Sequence, residues 1–359
     1  MGSEMCIRDR PLSSPACGTP FVSVTHRTRA GLHTLRGALL ACAFAAAPGA
    51  FAGHATAAAK GYSEVPPGVV ARLERLHCSR IGGTDVREVL ARVPAPRIVL
   101  LQGSVPLVTM EPFAQFLIAM GYPEARLADP RDGSHSYNSF ADGAALAGAL
   151  AFDYEQSGLA PMLIGHSQGG ALAIRVLHEL AGAFHDTLHV VDPATGATLP
   201  RTTIVDPHTH DTRPVVGLRV AYAAAIATGW LPRILLGQWT ILSRLRTIPD
   251  TVSEFTGFDI PNDPIAGNLL GTSPYRASGD AKVRSVVLPA GYSHIDIPRA
   301  AHLADDPRIR GYVESWSAGS TAQPPDGDTA NLVHAADIWH SVKRHWCLQA
   351  RRLLVNPAS

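Results

Sequence analysis

Charge and lysine are both scarce in this sequence. Its 359 residues include 31 basic and 30 acidic side chains, a formal net charge of +1, and only three of the basic residues are lysines. The near balance excludes a broad electrostatic attraction for nucleic acid or for an acidic membrane as the main activity. Arginine in place of lysine, beside abundant alanine, is typical of a GC-rich genome, so we draw no functional conclusion from it.

A long apolar run is also missing. The run at residues 37–52 is shorter than the ~20 residues that a membrane-spanning helix needs, and Pro48 interrupts it. Basic residues precede this run, and small residues that form A-x-A sites follow it at 55–59. These are the three regions of a secretory signal peptide. We therefore expect residues 11–59 to direct export, and residues 1–10, which resemble sequencing-adapter read-through, to be an artefact.

Cysteine is the next scarce residue. Of five cysteines, Cys78 and Cys347 are the two that follow the expected signal-peptide region. Because an exported protein enters an oxidising compartment, two cysteines near opposite ends of the remaining chain predict one disulfide, with two unpaired buried thiols as the alternative. Neither cysteine has the spacing of a metal-ligand set.

Short apolar runs alternate with helical patterns from about residue 60 onward. The apolar runs predict strands at 97–101, 125–128, 161–164, 215–226 and 283–288. The helical patterns lie at 111–120, 139–156, 170–180 and 331–354. Ser139 is the candidate cap of the second helix and Gly158 its stop signal. Strands that alternate with helices predict a mainly parallel sheet flanked by helices, in one domain over 60–359.

The alternation lapses between about residues 185 and 250, where we expect a cap or lid insertion. Residues 185–214 are rich in Pro, Thr, Asp and His and predict a loop or a short ribbon. Residues 228–247, whose apolar side chains run from Trp230 to Leu245, predict an amphipathic helical insertion over one end of the sheet. Its apolar face fits either ordinary core packing or a lipid-facing lid.

Residues 206–211, with the sequence DPHTHD, faintly resemble a metal-binding H-x-H-x-D pattern. The final aspartate is misplaced, and no further cluster of ligands accompanies the pattern. A polar turn is therefore favoured over a zinc site, and we expect no metal.

The most specific motif is GHSQG at residues 165–169. It stands directly after the predicted strand 161–164 and directly before a predicted helix. A nucleophilic serine in this context occupies a sharp turn, and glycines are needed on both sides because side chains there would collide with neighbouring backbone. The context favours a nucleophile at Ser167 over an ordinary serine at a helix N-cap.

GHSQGG in this context resembles the nucleophile elbow of bacterial lipases and esterases of the α/β-hydrolase superfamily. The resemblance implies an α/β-hydrolase fold with a helical cap or lid, and an oxyanion hole made of two backbone amides. One would be the amide of Gln168, which follows the nucleophile. The other would be that of Ser104, after the strand at 97–101, where an ordinary turn is the alternative.

An activated serine needs a base and an orienting acid, which follow in the order Ser, acid, His in this superfamily. His294 lies in a loop after the last predicted sheet strand, whereas four later histidines lie on helical segments, at positions 302, 334, 340 and 345. Asp263, at an Asp-Pro-Ile step, is the favoured acid, and Asp259 is the competing candidate. His166 is interpreted as part of the packing of the elbow.

Together these residues predict a secreted or periplasmic serine hydrolase of the lipase or esterase type, acting through Ser167, His294 and Asp263. It would need no metal and no organic cofactor. Its partners would be a small-molecule or lipid ester and, transiently, a lipid surface, but no nucleic acid. The same triad would serve an acyltransferase, a polyester depolymerase or a peptidase. The competing class is a non-catalytic binding protein of the cell envelope.

Overall fold

A parallel sheet forms the centre of the protein. The computed structural model describes residues 65–269, 271–320 and 323–355, all of which belong to one compact unit. Their strands are β1 (Ile98–Leu101), β2 (Met162–His166), β3 (Thr203–Val205), β4 (Thr212–Pro214), β5 (Val220–Ile226), β6 (Thr247–Ile248), β7 (Val252–Asp259), β8 (Arg276–Ala277) and β9 (Lys282–Val287). Five of them pair in parallel in the order β1-β2-β5-β7-β9. The predicted α/β arrangement with a mainly parallel sheet is confirmed.

Helices cover both faces of this sheet. They are α1 (Pro67–Arg75), α2 (Gly83–Glu88), α3 (Glu111–Ala119), α4 (Gly143–Ser157), α5 (Gln168–Leu180), α6 (Leu231–Leu235), α7 (Trp239–Leu242), α8 (Pro307–Ser315) and α9 (Leu332–Leu354), with 3₁₀ helices at Leu90–Arg92, Glu124–Arg126 and Ala301–Ala304. Two residues of β5 contact different helices. Ala225 faces α5, because a Cβ on Gly170 would lie 3.2 Å from its Cβ, whereas Tyr222 stacks on His345 of α9. Because side chains alternate along a strand, α5 and α9 pack on opposite faces.

The composition of β5 explains how closely the helices approach. All seven of its residues are buried, and their sequence VAYAAAI consists mostly of small side chains. Small side chains bring a helix backbone close to the strand, as the contact with Gly170 shows. Since all five strands run in parallel, their carboxyl ends meet at one edge of the sheet, and the loops that follow β2, β7 and β9 lie together there.

Helix α4 ends as predicted but begins later. Gly158 adopts a left-handed φ of 67° directly after the helix, so its role as the stop is confirmed. The N-cap is Asp142, whose Oδ1 accepts a hydrogen bond from the amide of Ala144 at 2.8 Å. Ser139 as the cap was wrong, because its hydroxyl donates to the carbonyl of Gly103 at 3.1 Å and ties this segment to the loop after β1.

The strand predicted at 125–128 was wrong. The chain forms a 3₁₀ helix over Glu124–Arg126 instead. This turn directs Arg126 toward Asp153, with 3.0 Å between nitrogen and oxygen. The buried carboxylate also pairs with Arg97 at 3.1 Å, so Arg126 is its second charged partner.

The strand predicted at 215–226 is shorter than expected. Gly217 takes a φ of 89°, and its amide donates to the carbonyl of Leu180 at 2.7 Å. This turn separates Val215 from the sheet, so β5 begins at Val220.

The insertion after β5 contains short helices rather than one continuous helix. Helices α6 and α7 are separated at Gly237, which has a φ of 66°. Before β5, the strands β3 and β4 pair antiparallel, which confirms a ribbon within residues 185–214. A cap or lid over about 185–250 stays a prediction.

A disulfide joins Cys78 to Cys347, as the sequence predicts. It ties the segment between α1 and α2 to α9, and the loop-entropy account of such a long closure gives a stabilisation of ~4–5 kcal/mol. Among the described residues, no helix has both the length and the apolarity that crossing a membrane would require. The expected signal-peptide region at 11–59 and the suspect residues 1–10 lie outside the described residues.

Candidate functional site

Ser167 stands in a strained turn between β2 and α5. Its φ is 52° and its ψ is −111°, a combination that costs about 1–3 kcal/mol in a residue with a side chain. A Cβ on Gly165 would lie 2.3 Å from the backbone of Gly169, and one on Gly169 would lie 2.1 Å from the carbonyl of Leu101. The predicted need for both glycines is confirmed. The turn holds Ser167 at the carboxyl edge of the sheet.

Three of the predicted site residues meet at this edge. The Nε2 of His294 lies 3.0 Å from the Oγ of Ser167, and its Nδ1 lies 2.6 Å from an oxygen of Asp263. Because a carboxylate only accepts hydrogen bonds, Nδ1 carries the proton of the neutral imidazole, and Nε2 is left free to accept one from the serine hydroxyl. The arrangement can therefore withdraw a proton from Ser167.

Asp263 is held by more than the histidine. Its Oδ1 accepts hydrogen bonds from the amides of Ile265 at 2.9 Å and Ala266 at 3.1 Å. Burial alone would raise the pKa of this carboxyl, but the hydrogen bonds from His294 and the two amides outweigh burial and hold its pKa below the ordinary value of 3.8. The side chain is thus a carboxylate at neutral pH and acts as an acceptor for His294.

Asp259, the competing acid, contacts a different partner. It ends β7, and both of its oxygens lie 3.0 Å from guanidinium nitrogens of Arg246. Burial does not distinguish the two aspartates, since their exposed fractions are 2% for Asp259 and 3% for Asp263. Their partners do, because it is Asp263 that contacts His294.

Arg246 also binds the other end of the insertion, a contact that the sequence reasoning missed. Its Nη2 donates to the carbonyl of Thr228 at 3.2 Å. The hydroxyl of Thr228 in turn donates to the carbonyl of Ser167 at 3.1 Å. We call Thr228, Arg246 and Asp259 the insertion clamp, because they fix both ends of residues 228–246 to the elbow and to β7. No spacing in the sequence signals it, since its members come from separate segments.

The two predicted oxyanion donors flank the elbow. Gln168 is the first residue of α5, so its amide has no acceptor within the helix. Ser104 lies in the loop after β1, next to Gly103, and a Cβ on Gly103 would lie 3.7 Å from the Cβ of Ser167. That loop is therefore adjacent to Ser167. The use of the Ser104 and Gln168 amides as oxyanion donors stays a prediction.

His166 makes a second contact that the sequence reasoning missed. It is buried in the elbow, but its Nε2 also lies 2.8 Å from the carbonyl oxygen of His294. Because a carbonyl accepts, Nε2 is the protonated nitrogen. Burial lowers the pKa of His166 to about 3, so its ring is neutral at ordinary pH. The sequence signal for this contact is limited to the position of His166 beside the nucleophile.

The later histidines on α9 occupy other surroundings. His334 stacks on Phe113, with ring centroids 6.0 Å apart, and its edge faces Tyr292. His345 lies 3.2 Å from a carboxylate oxygen of Glu254. Both side chains are buried, and these contacts fit the prediction of packing roles.

Exposed apolar side chains lie on the loop after β1, before α4, on the insertion, and on the loops of Asp263 and His294. We call them the apolar rim: Val105, Leu107, Phe140, Trp230, Leu235, Leu236, Trp239, Ile265, Leu269 and Ile295. The indole of Trp230 donates to the carbonyl of Gly267 at 2.9 Å, which joins the insertion to the loop of Asp263. Ile241 and Leu245, by contrast, are buried. Part of Trp230–Leu245 thus packs inward, and part of it faces outward.

Space for a ligand is present beside the elbow. A cavity of about 440 Å³ is bordered by Gln168, by Phe140 of the apolar rim, and by Gln238 and Ile241 of the insertion. Another cavity, of about 350 Å³, lies between β1 and α4. None of Ser167, His294 and Asp263 lines either cavity, and the one beside Gln168 is bordered by the residue that directly follows Ser167.

Residues 206–211 form the connection between β3 and β4. Asp206 accepts a hydrogen bond from the hydroxyl of Tyr154 at 2.9 Å, and the Nε2 of His208 lies 2.8 Å from the carbonyl of Gly158. These side chains are thus used within the fold. In the described part of the chain, no group of three or more His, Cys, Asp or Glu side chains is arranged to hold a metal ion.

No protein-family model and no curated protein matches the sequence of this chain at a significant level. The chemistry open to the site follows from its own geometry, which is a hydroxyl, an imidazole and a carboxylate in one hydrogen-bonded series.

Proposed function

We propose that this chain is an exported serine hydrolase that cleaves carboxylic esters. The observation that carries the proposal is the series Ser167–His294–Asp263, with contacts of 3.0 Å and 2.6 Å. A neutral hydroxyl is a weak nucleophile, and an adjacent imidazole that is oriented by a carboxylate is the arrangement that activates it. The strain at Ser167 supports the same conclusion, since strained backbone is concentrated at functional sites.

In the first half-reaction, the oxygen of Ser167 attacks the ester carbonyl carbon while the Nε2 of His294 takes the hydroxyl proton. Asp263 holds the imidazole in orientation and stabilises the imidazolium that forms. The carbonyl oxygen becomes an oxyanion, for which the amides of Gln168 and Ser104 are the proposed donors. The bond to the alcohol oxygen then breaks, His294 returns the proton to the leaving alcohol, and the acyl group stays on Ser167.

In the second half-reaction, water takes the place of the alcohol. His294 removes a proton from the water, the hydroxide oxygen attacks the acyl carbon, and the oxyanion forms again at the same amides. When the tetrahedral species collapses, the serine oxygen leaves and takes back the proton from His294. The products are a carboxylic acid and the free enzyme, and no step uses a metal or an organic cofactor.

The finer fold assignment, an α/β-hydrolase fold with a helical cap or lid, is part of the same proposal. Its support is the chain order Ser167, Asp263, His294 after β2, β7 and β9, together with the strand–turn–helix around the serine. The segment from α6 to α7 lies between β5 and β7, within the expected insertion at 185–250.

The apolar rim supports esters with apolar acyl chains as substrates, and hence a lipase rather than an esterase for small esters. Leu107, Leu235 and Trp239 are more than half exposed, and side chains of this size in water favour contact with an apolar ligand. A lipid ester with transient contact to a lipid surface fits this rim better than a compact polar ester does.

The disulfide supports export. Cys78 and Cys347 form a bond that persists in oxidising compartments such as the periplasm or the extracellular space. The expected signal-peptide region at 11–59 fits the same location.

The decisive experiment is labelling with a fluorophosphonate probe, which reacts with an activated serine. We expect the native protein to be labelled and Ser167→Ala to stay unlabelled, with unchanged circular dichroism as the control for folding. Native protein without label, or equal labelling of both proteins, would contradict the proposal and favour a non-catalytic binding protein of the envelope.

A series of p-nitrophenyl esters of increasing acyl length then tests the substrate class. We expect kcat/KM to rise from the acetate to the octanoate, because the longer chain contacts the apolar rim. A clear preference for acetate would contradict the lipase assignment. Faster transfer of the acyl group to an added alcohol than to water would favour an acyltransferase, and release of acid from an insoluble polyester would favour a depolymerase.

A further inference from the structure

His166 joins two loops that the proposed catalysis uses. His166 is the last residue of β2, and it is 2% exposed. On one side, the Nε2–H group donates to the carbonyl of His294 at 2.8 Å. On the other side the ring lies against the loop after β1, where a Cβ on Gly103 would be 3.0 Å from its Nδ1. The ring therefore stands between the loop of the base and the loop of a proposed oxyanion donor.

Packing alone does not account for a histidine at this position. Among the described residues, the Nδ1 of His166 has no hydrogen-bond partner. A buried nitrogen without a partner costs about 1–3 kcal/mol, and a phenylalanine or leucine here would avoid that cost. The part of the side chain that does make a specific contact is Nε2–H, and its acceptor belongs to His294.

The main chain of the loop that carries His294 is held by local hydrogen bonds, such as that from the amide of Ile297 to the carbonyl of Ser293 at 3.0 Å. Residues 288–300 contain no helix or strand, and Gly291 within them takes a φ of 97°. Asp263 and Ser167 contact the imidazole of His294, but neither contact fixes its main chain. The bond from His166 supplies that third point, and three points define both the position and the tilt of the imidazole.

We propose that His166 is a positioning residue, which sets the place of the His294 imidazole relative to Ser167 by holding the His294 carbonyl. This inference rests on the proposed function. The geometry does not make His166 a second base, because its protonated Nε2 faces a carbonyl. Since burial lowers its pKa to about 3, the ring stays neutral and keeps donating wherever ester hydrolysis is assayed. Its effect on the rate should therefore be independent of pH between 6 and 9.

The test uses a pair of variants that differ in the hydrogen bond and little in shape. His166→Met removes the donor, whereas His166→Gln keeps an N–H group at similar reach. We expect His166→Met to lower kcat for p-nitrophenyl butyrate by about 10- to 100-fold, because small displacements of a base have effects of this size, with KM within about 2-fold. His166→Gln should keep kcat within about 3-fold of the native value. The loss in His166→Met should be the same at pH 6 and pH 9.

A matched control is present at the other end of α5. His178 is also buried in the last turn of α5, and its Nε2 lies 2.8 Å from the carbonyl of Thr247. His178→Met loses an equivalent bond, so it should lower the unfolding temperature but leave kcat unchanged. A fall in kcat in His178→Met as large as that in His166→Met would assign the effect to general destabilisation and overturn the proposal.

The other outcomes are also distinct. Equal kcat values for His166→Met and His166→Gln would overturn the positioning role while leaving the hydrolase assignment intact. If His166→Met does not fold, His166→Phe replaces it as the variant without a donor and is judged by the same ratio. Failure of the native protein to label at Ser167 would instead reject the proposed function, and with it the reaction that His166 serves.

Discussion

Asp259 and Asp263 stand four residues apart and are almost equally buried, yet they stabilise different parts of the molecule. Asp259 pairs with Arg246, a side chain whose charge is permanent, and so anchors the insertion. Asp263 faces the imidazole of His294, whose Nδ1 lies 2.6 Å from its carboxylate. The identity of the acid and its burial are therefore uninformative here. The partner decides whether a buried carboxylate holds a scaffold or supports proton transfer.

The backbone explains how each aspartate reaches its partner. Asp259 is the last residue of β7, and the strand directs it toward Arg246 of the insertion clamp. Asp263 follows Asn262, which has a φ of 57°, and its Oδ1 is held by the amides of Ile265 and Ala266. The turn thus fixes one oxygen before the other meets His294. This preorganisation is what a group that orients a base requires.

The largest expected effect is on activity, and it separates the two aspartates directly. Asp263→Asn should lower kcat/KM for p-nitrophenyl butyrate by about 10³- to 10⁴-fold, because an amide no longer fixes the tautomer of His294. Asp259→Asn should stay within about 10-fold of the native value. The same assay on both variants checks the prediction, and the reverse order of effects would make Asp259 the acid.

The second expected effect is on stability, and here the change at Asp259 is the larger one. Asp259→Asn leaves the guanidinium of Arg246 without its charged partner, so we expect the free energy of unfolding to fall by about 3 kcal/mol in urea titrations. Asp259→Leu combined with Arg246→Met removes both charges and should cost less than the single change. Besides its ion pair, Arg246 donates to the carbonyl of Thr228, and its guanidinium lies over the ring of Tyr275, 4.2 Å from the ring centroid. A double variant less stable than Asp259→Asn would show that these contacts matter more than the ion pair.

The sequence was sufficient to predict the parts of the molecule that depend on local pattern. The parallel sheet followed from apolar runs between helical patterns. The elbow followed from the glycines on both sides of Ser167, and the structure shows why they are needed, since a Cβ on either would lie 2.1–2.3 Å from backbone atoms. The pairing of Cys78 with Cys347 followed from elimination after the expected signal peptide. Asp263 was favoured over Asp259 by the Asp-Pro-Ile step, and it is Asp263 that contacts His294.

The sequence was insufficient where a contact joins distant segments through the backbone. The bond from His166 reaches a main-chain carbonyl, and so do those from Arg246 to Thr228 and from Thr228 to Ser167. Every residue has a carbonyl, so no residue type marks the acceptor in advance. The strand predicted at 125–128 failed for a related reason, since the long-range ion pair of Arg126 with Asp153 favours a helical turn there.

The third expected effect concerns acid, and it shows that the Asp263 contact is not the first to respond. The pKa of Asp263 lies below 3.8, so its stabilising charge is present above that pH and is lost only as the pH falls through the lower folded value. Burial instead lowers the pKa of His334 from 6.5 to about 3. Between those values the unfolded chain binds a proton that the folded chain does not, so stability falls by about 1.4 kcal/mol per pH unit.

His334→Phe tests this sign. The ring lies among Phe113, Phe258 and Tyr292, so phenylalanine fits its surroundings. Between pH 7 and pH 5 the native protein should lose about 2 kcal/mol more unfolding free energy than His334→Phe in urea titrations. Parallel losses in the two proteins would mean that His334 gains its proton without unfolding.

The smallest expected effect tests whether the segment that Asp259 anchors matters for substrate choice. Trp239 is 60% exposed and lies between the two ends that the insertion clamp holds. Trp239→Ser should lower the ratio of kcat/KM for p-nitrophenyl octanoate to that for the acetate by about 5-fold, which corresponds to ~1 kcal/mol of lost apolar contact. Leu348→Ser, an exposed apolar position on α9, is the control and should leave the ratio unchanged. If Asp259→Asn lowers this ratio as Trp239→Ser does, the insertion clamp positions the apolar rim for the substrate. If Trp239→Ser has no effect, the exposed apolar side chains of the insertion serve something other than the acyl chain.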